Sequence, residues 1–262
     1  LTLSVLLEGA EGGFTPPSSA DFEFAPIWGN SILATKPVLM VGLSVIIVAT
    51  FFIISARKAA IVPSRIQFLG EGIYGFVRKS LGEEVIGPEF HRFMPFLFTV
   101  FTFILTNNWF GFIPFLQFPT MSHIGFPLSI TIFTYLVYHY TAVKHQGFIP
   151  YMKHVLFMPG VPKPVYVILT PIEFATYFIV RPLTLTMRLF ANMFAGHLLL
   201  LVFILGGEHL IMSGALLKVF GVGSFAMSIV LSFFEFGVQA LQAYIFTLLT
   251  SLYIAGSVAD EH

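Results

Sequence analysis

Two closing stretches, Val165 to Leu205 and Ile211 to Gly256, limit this chain more than anything else in it, because each runs for about 40 residues with almost no charge. At 1.5 Å per residue a helix of that length measures roughly 60 Å, about twice the hydrocarbon core of a bilayer. Standing upright, each would carry apolar surface far into water. Both are therefore expected to be strongly tilted or nearly in the membrane plane, antiparallel, and packed against something curved or large. Pro171 and Pro182 interrupt the first of them, and Pro182 is expected to kink it because it removes a backbone donor.

Three shorter runs fit single crossings. Val38 to Ala56 ends at Arg57-Lys58, Phe93 to Leu116 carries Asn107, Asn108 and Trp109 near its far end, and Pro127 to Val143 ends at Lys144. Ser64 to Leu81 differs, since Arg65, Glu71, Arg78 and Lys79 are interleaved with Ile66, Phe68, Leu69, Ile73, Phe76 and Val77. That pattern is an amphipathic helix lying in the interface. Pro150, Pro159, Pro162 and Pro164 mark a polar loop. The expected fold is an all-α membrane protein with five transmembrane helices, at about 38–56, 93–116, 127–143, 165–205 and 211–256, plus the interfacial helix at about 64–81. Residues 1–36 read as an external leader and 37–262 as one membrane domain.

Composition agrees and removes other classes. Only 10% of residues are charged and 56% are hydrophobic, with a mean hydropathy of +0.88, whereas soluble domains average about 25% charged. Thirteen basic residues balance thirteen acidic ones, so nucleic acid is not an expected partner. The absence of cysteine removes thiolate catalysis, iron–sulfur clusters and Cys-ligated zinc. No cofactor and no metal are expected.

Basic residues in the loops set the orientation. With the N-terminus outside and five crossings, Arg57, Lys58, Arg65, Arg78, Lys79, Arg92, Lys144, Lys153 and Lys163 fall inside, and only Lys36 and Lys218 outside. The C-terminal Asp260, Glu261 and His262 then lie in the cytoplasm. The leader lacks the basic start and cleavage pattern of a signal peptide.

Arg181 and Arg188 remain, inside the first long segment, with Glu173 before them and Asn192 and His197 after. A charge at bilayer depth costs at least about 2.5 to 3.5 kcal/mol, and such residues mark ion paths. Arg181 fits either that role or a side chain that snorkels to the interface or pairs with a loop acid. Arg188, among Leu185, Met187, Leu189 and Phe190, has no acid within a turn. At about 100° per residue Asn192 lies some 40° from Arg188, and His197 lies on the opposite face. On the last segment Glu235, Gln239 and Gln242 share one polar stripe at i, i+4 and i+7. The two helices would face each other with a column of hydrogen-bonding and proton-exchanging groups.

The run Arg181-Pro-Leu-Thr-Leu-Thr-Met-Arg188-Leu-Phe-Ala-Asn192-Met-Phe-Ala-Gly196-His197, together with Gln239-Ala-Leu-Gln242-Ala-Tyr-Ile-Phe-Thr-Leu-Leu-Thr and Gly70-Glu71-Gly-Ile-Tyr-Gly-Phe, resembles subunit a of the rotary F-type ATP synthases, and its wording is most similar to the actinobacterial branch. The resemblance covers essentially the whole chain. It implies a stator proton-channel subunit in a bacterial plasma membrane, rather than a mitochondrial inner membrane, with two offset half-channels and ATP chemistry left to other subunits. The implied partners are a ring of c subunits, b-type peripheral stalk subunits and the remainder of the synthase. Arg188 matches the stator arginine that faces the ring, Gln242 the glutamine near it, and Asn192 the polar residue one turn on. His197 and Glu235 match an acid–histidine pair of the outer half-channel, with the two residue types exchanged relative to some members.

The chain departs from the family pattern in places. Glu173 sits eight residues before Arg181 where an acid seven before is frequent, Gly111 replaces an Asp of some members, and Ser122-His123-Ile124-Gly125 replaces an Asp-x-Asn, which makes His123 a candidate for the outer channel. Two other classes fit the residues less well. An ion-coupled transporter or channel would use intramembrane Arg, His and Glu equally well, but no internal repeat is evident. A passive anchor of a redox complex would need facing haem ligands, and His139 and His197 sit on segments of no matching pattern. No Walker loop is present, so ATP hydrolysis by this chain is not expected.

Overall fold

A computed structural model describes residues 16–18, 35–57, 60–113, 120–157, 162–213 and 217–258. Nearly all of the leader, and the C-terminal Asp260-Glu261-His262, lie outside the described residues. Within the described residues all regular structure is helical. Three helices, Lys36–Arg57, Tyr166–Met212 and Leu217–Val258, are long and apolar enough to cross a membrane.

Helix α1, Lys36–Arg57, is apolar all round and buries only Pro37 and Ser44, as expected of a rod facing lipid. Helix α2, Arg65–Val77, starts where Ser64 Oγ accepts from the Gln67 amide at 3.3 Å, which satisfies an orphan donor of the first turn. It continues through a π turn, Arg78–Glu83, into Glu84–Ile86 and stops at Gly87 with φ 79°. The helix therefore outruns the expected end near 81, and an Arg78 Nε to Glu83 Oε1 bond of 2.8 Å closes the wide turn. Helix α3, Phe90–Trp109, places Phe93, Met94, Leu97, Val100, Phe101 and Ile104 in the centre of the core. It ends short of the expected Leu116, because the chain turns at residues 110–113. Near its end Asn107 Nδ2 donates to Ser44 Oγ at 2.9 Å, which ties α1 to the core.

A short turn, Thr120–Ser122, leads into α4, Gly125–Gln146, and then α5, Phe148–Leu156. The expected polar loop from Pro150 is thus partly a helix. Pro150 stands in the first turn, where its missing donor costs no intrahelical bond, while Tyr151 and Val155 give α5 an apolar face to bury.

Helix α6, Tyr166–Ala175, a π turn, Thr176–Val180, and α7, Arg181–Ser213, form one continuous rod. The anticipated kink at Pro182 takes the form of that π turn. The Arg181 amide reaches back five residues to the Thr176 carbonyl, just before the proline that has no amide to offer. The rod extends past 205, so residues 211–213 belong to it and not to the last helix, which is α8, Leu217–Val258.

Helices α7 and α8 share the most extensive interface and run antiparallel. At the hairpin end Ser224 Oγ donates to the Phe203 carbonyl at 2.6 Å, and a Cβ placed on Gly221 would stand 2.8 Å from the Gly207 carbonyl. Only a residue without a side chain lets the backbones approach so closely. Behind the pair, α3 and α4 pack on buried Leu185, Leu189 and Met193 of α7 and Ala243, Phe246 and Ile254 of α8.

Candidate functional site

The antiparallel register brings the polar positions of α7 and α8 to one height. Asn192 Nδ2 donates to Gln242 Oε1 at 2.8 Å, a direct bond between the two helices. One turn away, Arg188 is exposed, and among the described residues no carboxylate lies within ion-pair distance of it. Its neighbours Leu185 and Leu189 point into the core, so helical geometry turns the guanidinium to the uncovered side.

Glu235 is buried at 8% exposure, with Gln239 at 1% and Gln242 at 2%. Glu235 Oε1 accepts from Gln239 Nε2 at 3.2 Å, and Asn108 Nδ2 of α3 donates to the Gln239 carbonyl at 3.2 Å. The stripe read from the sequence is therefore real, and a third helix completes it. Glu235 packs against Gly196, where a Cβ would meet Oε1 at 3.1 Å. A recess of about 220 Å³, lined by Asn192, Gly196, Leu199, Leu231, Phe234 and Glu235, opens between the helices.

Several atoms here are buried without a hydrogen-bond partner among the described residues: Glu235 Oε2, Gln239 Oε1, Gln242 Nε2, Asn108 Oδ1, Thr120 Oγ1 and Ser122 Oγ. Buried polar groups that lack protein partners are ordinarily satisfied by water. The arrangement suits a hydrated path that ends beside a carboxyl group. Among the described residues no group of three or more His, Cys, Asp or Glu is placed to hold a metal ion.

The other predicted residues fall as follows. His197 is half-buried and adjoins Gly196, so it is a neighbour of Glu235, but no hydrogen bond joins the two. It lies within electrostatic reach of Lys36. His123 is half-buried beside the buried Ser122. Glu173, on α6, is half-buried with no bond or ion pair among the described residues, and fifteen residues of helix, roughly 22 Å, separate it from Arg188. Arg181 is half-buried and pairs with no acid among the described residues. Its Cζ lies 3.4 Å from the centroid of the Tyr177 ring and 5.2 Å from that of Tyr253.

Comparison with known proteins bears on what this site belongs to. The family profile for the ATP synthase A chain matches residues 38–255. ATP synthase subunit a of a Nocardioides species is 46% identical, with 97% of this chain and 96% of that protein covered. Those of Frankia alni and Streptomyces lividans are 39% and 37% identical, covering 97% and 95% of this chain and 89% and 90% of theirs. The chain belongs to the ATP synthase subunit a family.

The matched span begins two residues inside α1 and ends three residues before the end of α8, so Arg188, Asn192, Glu235, Gln239 and Gln242 all fall within it. Two contributors escaped the sequence reading. Gly196 was quoted only as part of a motif, and its use as the floor under Glu235 depends on helix register. Asn108 was noticed as a polar residue in an apolar run, which is the signal that could have placed it in the site.

Proposed function

We propose that this chain is the stator proton-channel subunit of an F-type ATP synthase, crossing the membrane five times with the N-terminus outside and lining two half-channels offset along a ring of c subunits. The observation that carries this reading is the Asn192–Gln242 bond, which fixes the helix pair one turn from an exposed arginine with no acid partner among the described residues. Such an arginine is set to meet a carboxylate carried by another protein.

Arginine stays protonated at physiological pH, so it relays no proton itself. A ring carboxyl that faces lipid is neutral, because ionising it there is costly, and beside Arg188 the ionised form is favoured. A proton arriving through the outer half-channel, by way of Glu235, His197 and the Gln239–Gln242 stripe, neutralises the ring site, which then leaves the arginine and travels round to the inner half-channel. The potential supplies about 2.3 kcal/mol per charge per 100 mV. Glu235 and His197 act as a unit in that outer path, exchanging protons through water. The subunit works with the ring, with b-type stalk subunits and with the rest of the synthase, in a bacterial plasma membrane. Arg188→Ala is expected to abolish ATP-driven pumping and ion-driven synthesis in inverted vesicles while the complex still assembles; normal coupling in that variant would remove Arg188 from the mechanism.

A further inference from the structure

A buried polar seam runs along α8 where it packs on its neighbouring helices. On α8 it consists of Glu235, Gln239, Gln242, Thr247, Thr250, Ser251 and Ser257, all buried. Along the axis that is 22 residues, roughly 33 Å, close to the full hydrocarbon thickness. Helix α4 faces it with Thr131, Thr134 and Tyr138, each buried and each with a hydroxyl that has no hydrogen-bond partner among the described residues. Thr247, Thr250 and Ser251 donate to backbone carbonyls one turn back, which leaves their oxygen lone pairs facing neighbours. A file of hydroxyls solvated by water is a route along which protons can hop.

Such a route would join the outer carboxyl site to the inner surface without passing the ring. In a machine that must couple each proton to rotation, it has to be closed.

The inner end of the seam opens on a chamber of about 170 Å³ lined by Tyr138, Tyr151, Tyr177, Arg181, Tyr253 and Ser257. A smaller space of about 10 Å³, room for about one water, adjoins it and is bounded by Thr131, Thr134, Tyr138, Arg181, Leu185 and Tyr253. Arg181 stands where the two meet. Its charge reaches Tyr138, His139 and Tyr151, and no carboxylate among the described residues neutralises it. Tyr177 and Tyr253 hold the guanidinium through their ring faces, which fixes its position and leaves its charge intact.

We propose that Arg181 is the electrostatic seal of this seam, a fixed positive charge between its two inner spaces that excludes protons from a short circuit within the stator. The inference rests on the proton-channel reading above and concerns a different route from the one at Arg188.

The test uses the assembled membrane complex in vesicles, with the carboxyls of the ring blocked by a carbodiimide so that rotation-linked transport is stopped. Passive proton entry is then measured under an imposed potential. Arg181→Gln is expected to raise the blocked-state leak by about tenfold or more, through loss of charge repulsion in a poorly solvated site. Arg181→Lys keeps the charge and is expected to stay sealed. Adding Thr134→Val and Tyr138→Phe to Arg181→Gln is expected to return the leak to the wild-type level. An assembled Arg181→Gln complex with no leak overturns the proposal. If that variant does not assemble, Leu185→Ser decides: it opens the apolar wall of the small space while the charge remains, so a sealed complex supports the proposal and a leaking one overturns it. Loss of coupling in unblocked Arg188 variants reports separately on the proton-channel reading, so the two can fail independently.

Discussion

Arg181 and Arg188 are the same residue type on the same helix, seven residues apart, and by ideal geometry they leave α7 within about 20° of one direction. Their surroundings differ completely. Opposite Arg181, α8 supplies Tyr253 and the preceding turn supplies Tyr177, and α4 and α5 close the chamber with Tyr138 and Tyr151. Arg188 is exposed, and one turn away Asn192 donates to Gln242 rather than to any group on its own helix. A held arginine acts on what shares its chamber, whereas an uncovered one is available to a group that comes and goes. The difference teaches that a charge in an apolar helix is not a function in itself; the rings or the empty space opposite it decide the role.

The sharpest way to break this comparison is to make the same replacement at both arginines. Arg188→Lys is expected to lose at least about 90% of coupled synthesis, because an ammonium lacks the broad planar fork of guanidinium, whereas Arg181→Lys is expected to keep most of it. Equal losses in ATP-driven pumping by the two variants would show that surroundings do not separate them.

Glu235→Gln should come next in size, slowing translocation about tenfold or more without releasing the ring, since it removes the one buried carboxyl of the stripe. His197→Ala is expected to act similarly. The exchanged double variant, His197→Glu with Glu235→His, should recover more pumping than either single exchange; strictly additive losses in that double-mutant cycle would show that the two side chains work separately.

Gly196→Ala tests the same region by crowding alone. Its methyl group would stand 3.1 Å from Glu235 Oε1, so the carboxylate must shift and proton transfer is expected to slow by about two- to fivefold. Wild-type pumping in this variant would show that the exact seat of Glu235 does not matter. The smallest effect is expected from Glu173→Gln, roughly a twofold loss at most, because Glu173 sits far along the rod from both arginines with no partner among the described residues. A block as complete as that of Arg188→Ala would place Glu173 in the channel.

Much of the architecture was legible from apolar run lengths alone. Helix α1, the amphipathic helix α2 and the two overlong final helices all appear close to their expected places in the chain. What went astray did so at proline and at helix ends. Pro150 sits inside a short helix and Pro182 follows a π turn, because a proline's missing donor can be absorbed by a first turn or by a wider one, and sequence does not say which. The boundary between the last two helices lies later than the apolar runs suggested: Gly206 and Gly207 are part of α7, where Gly207 packs closely on Gly221.

The sequence by itself determined that this chain belongs in a membrane, that its polar groups are few and spaced to share helix faces, and that Arg188, Asn192, His197, Glu235, Gln239 and Gln242 are the groups to watch. Periodicity is a local property, and 100° per residue sorts the side chains of one helix without reference to any other. Only the tertiary structure decided which faces meet. The register of α7 against α8 pairs Asn192 with Gln242, seats Glu235 on Gly196, and adds Tyr253 to the Tyr177 that already precedes Arg181 by one turn, while leaving Arg188 exposed. That register is set by close backbone approach at the hairpin end and by packing against α3 and α4, and such contacts join residues distant in the chain, such as Asn108 and Gln239, 131 positions apart.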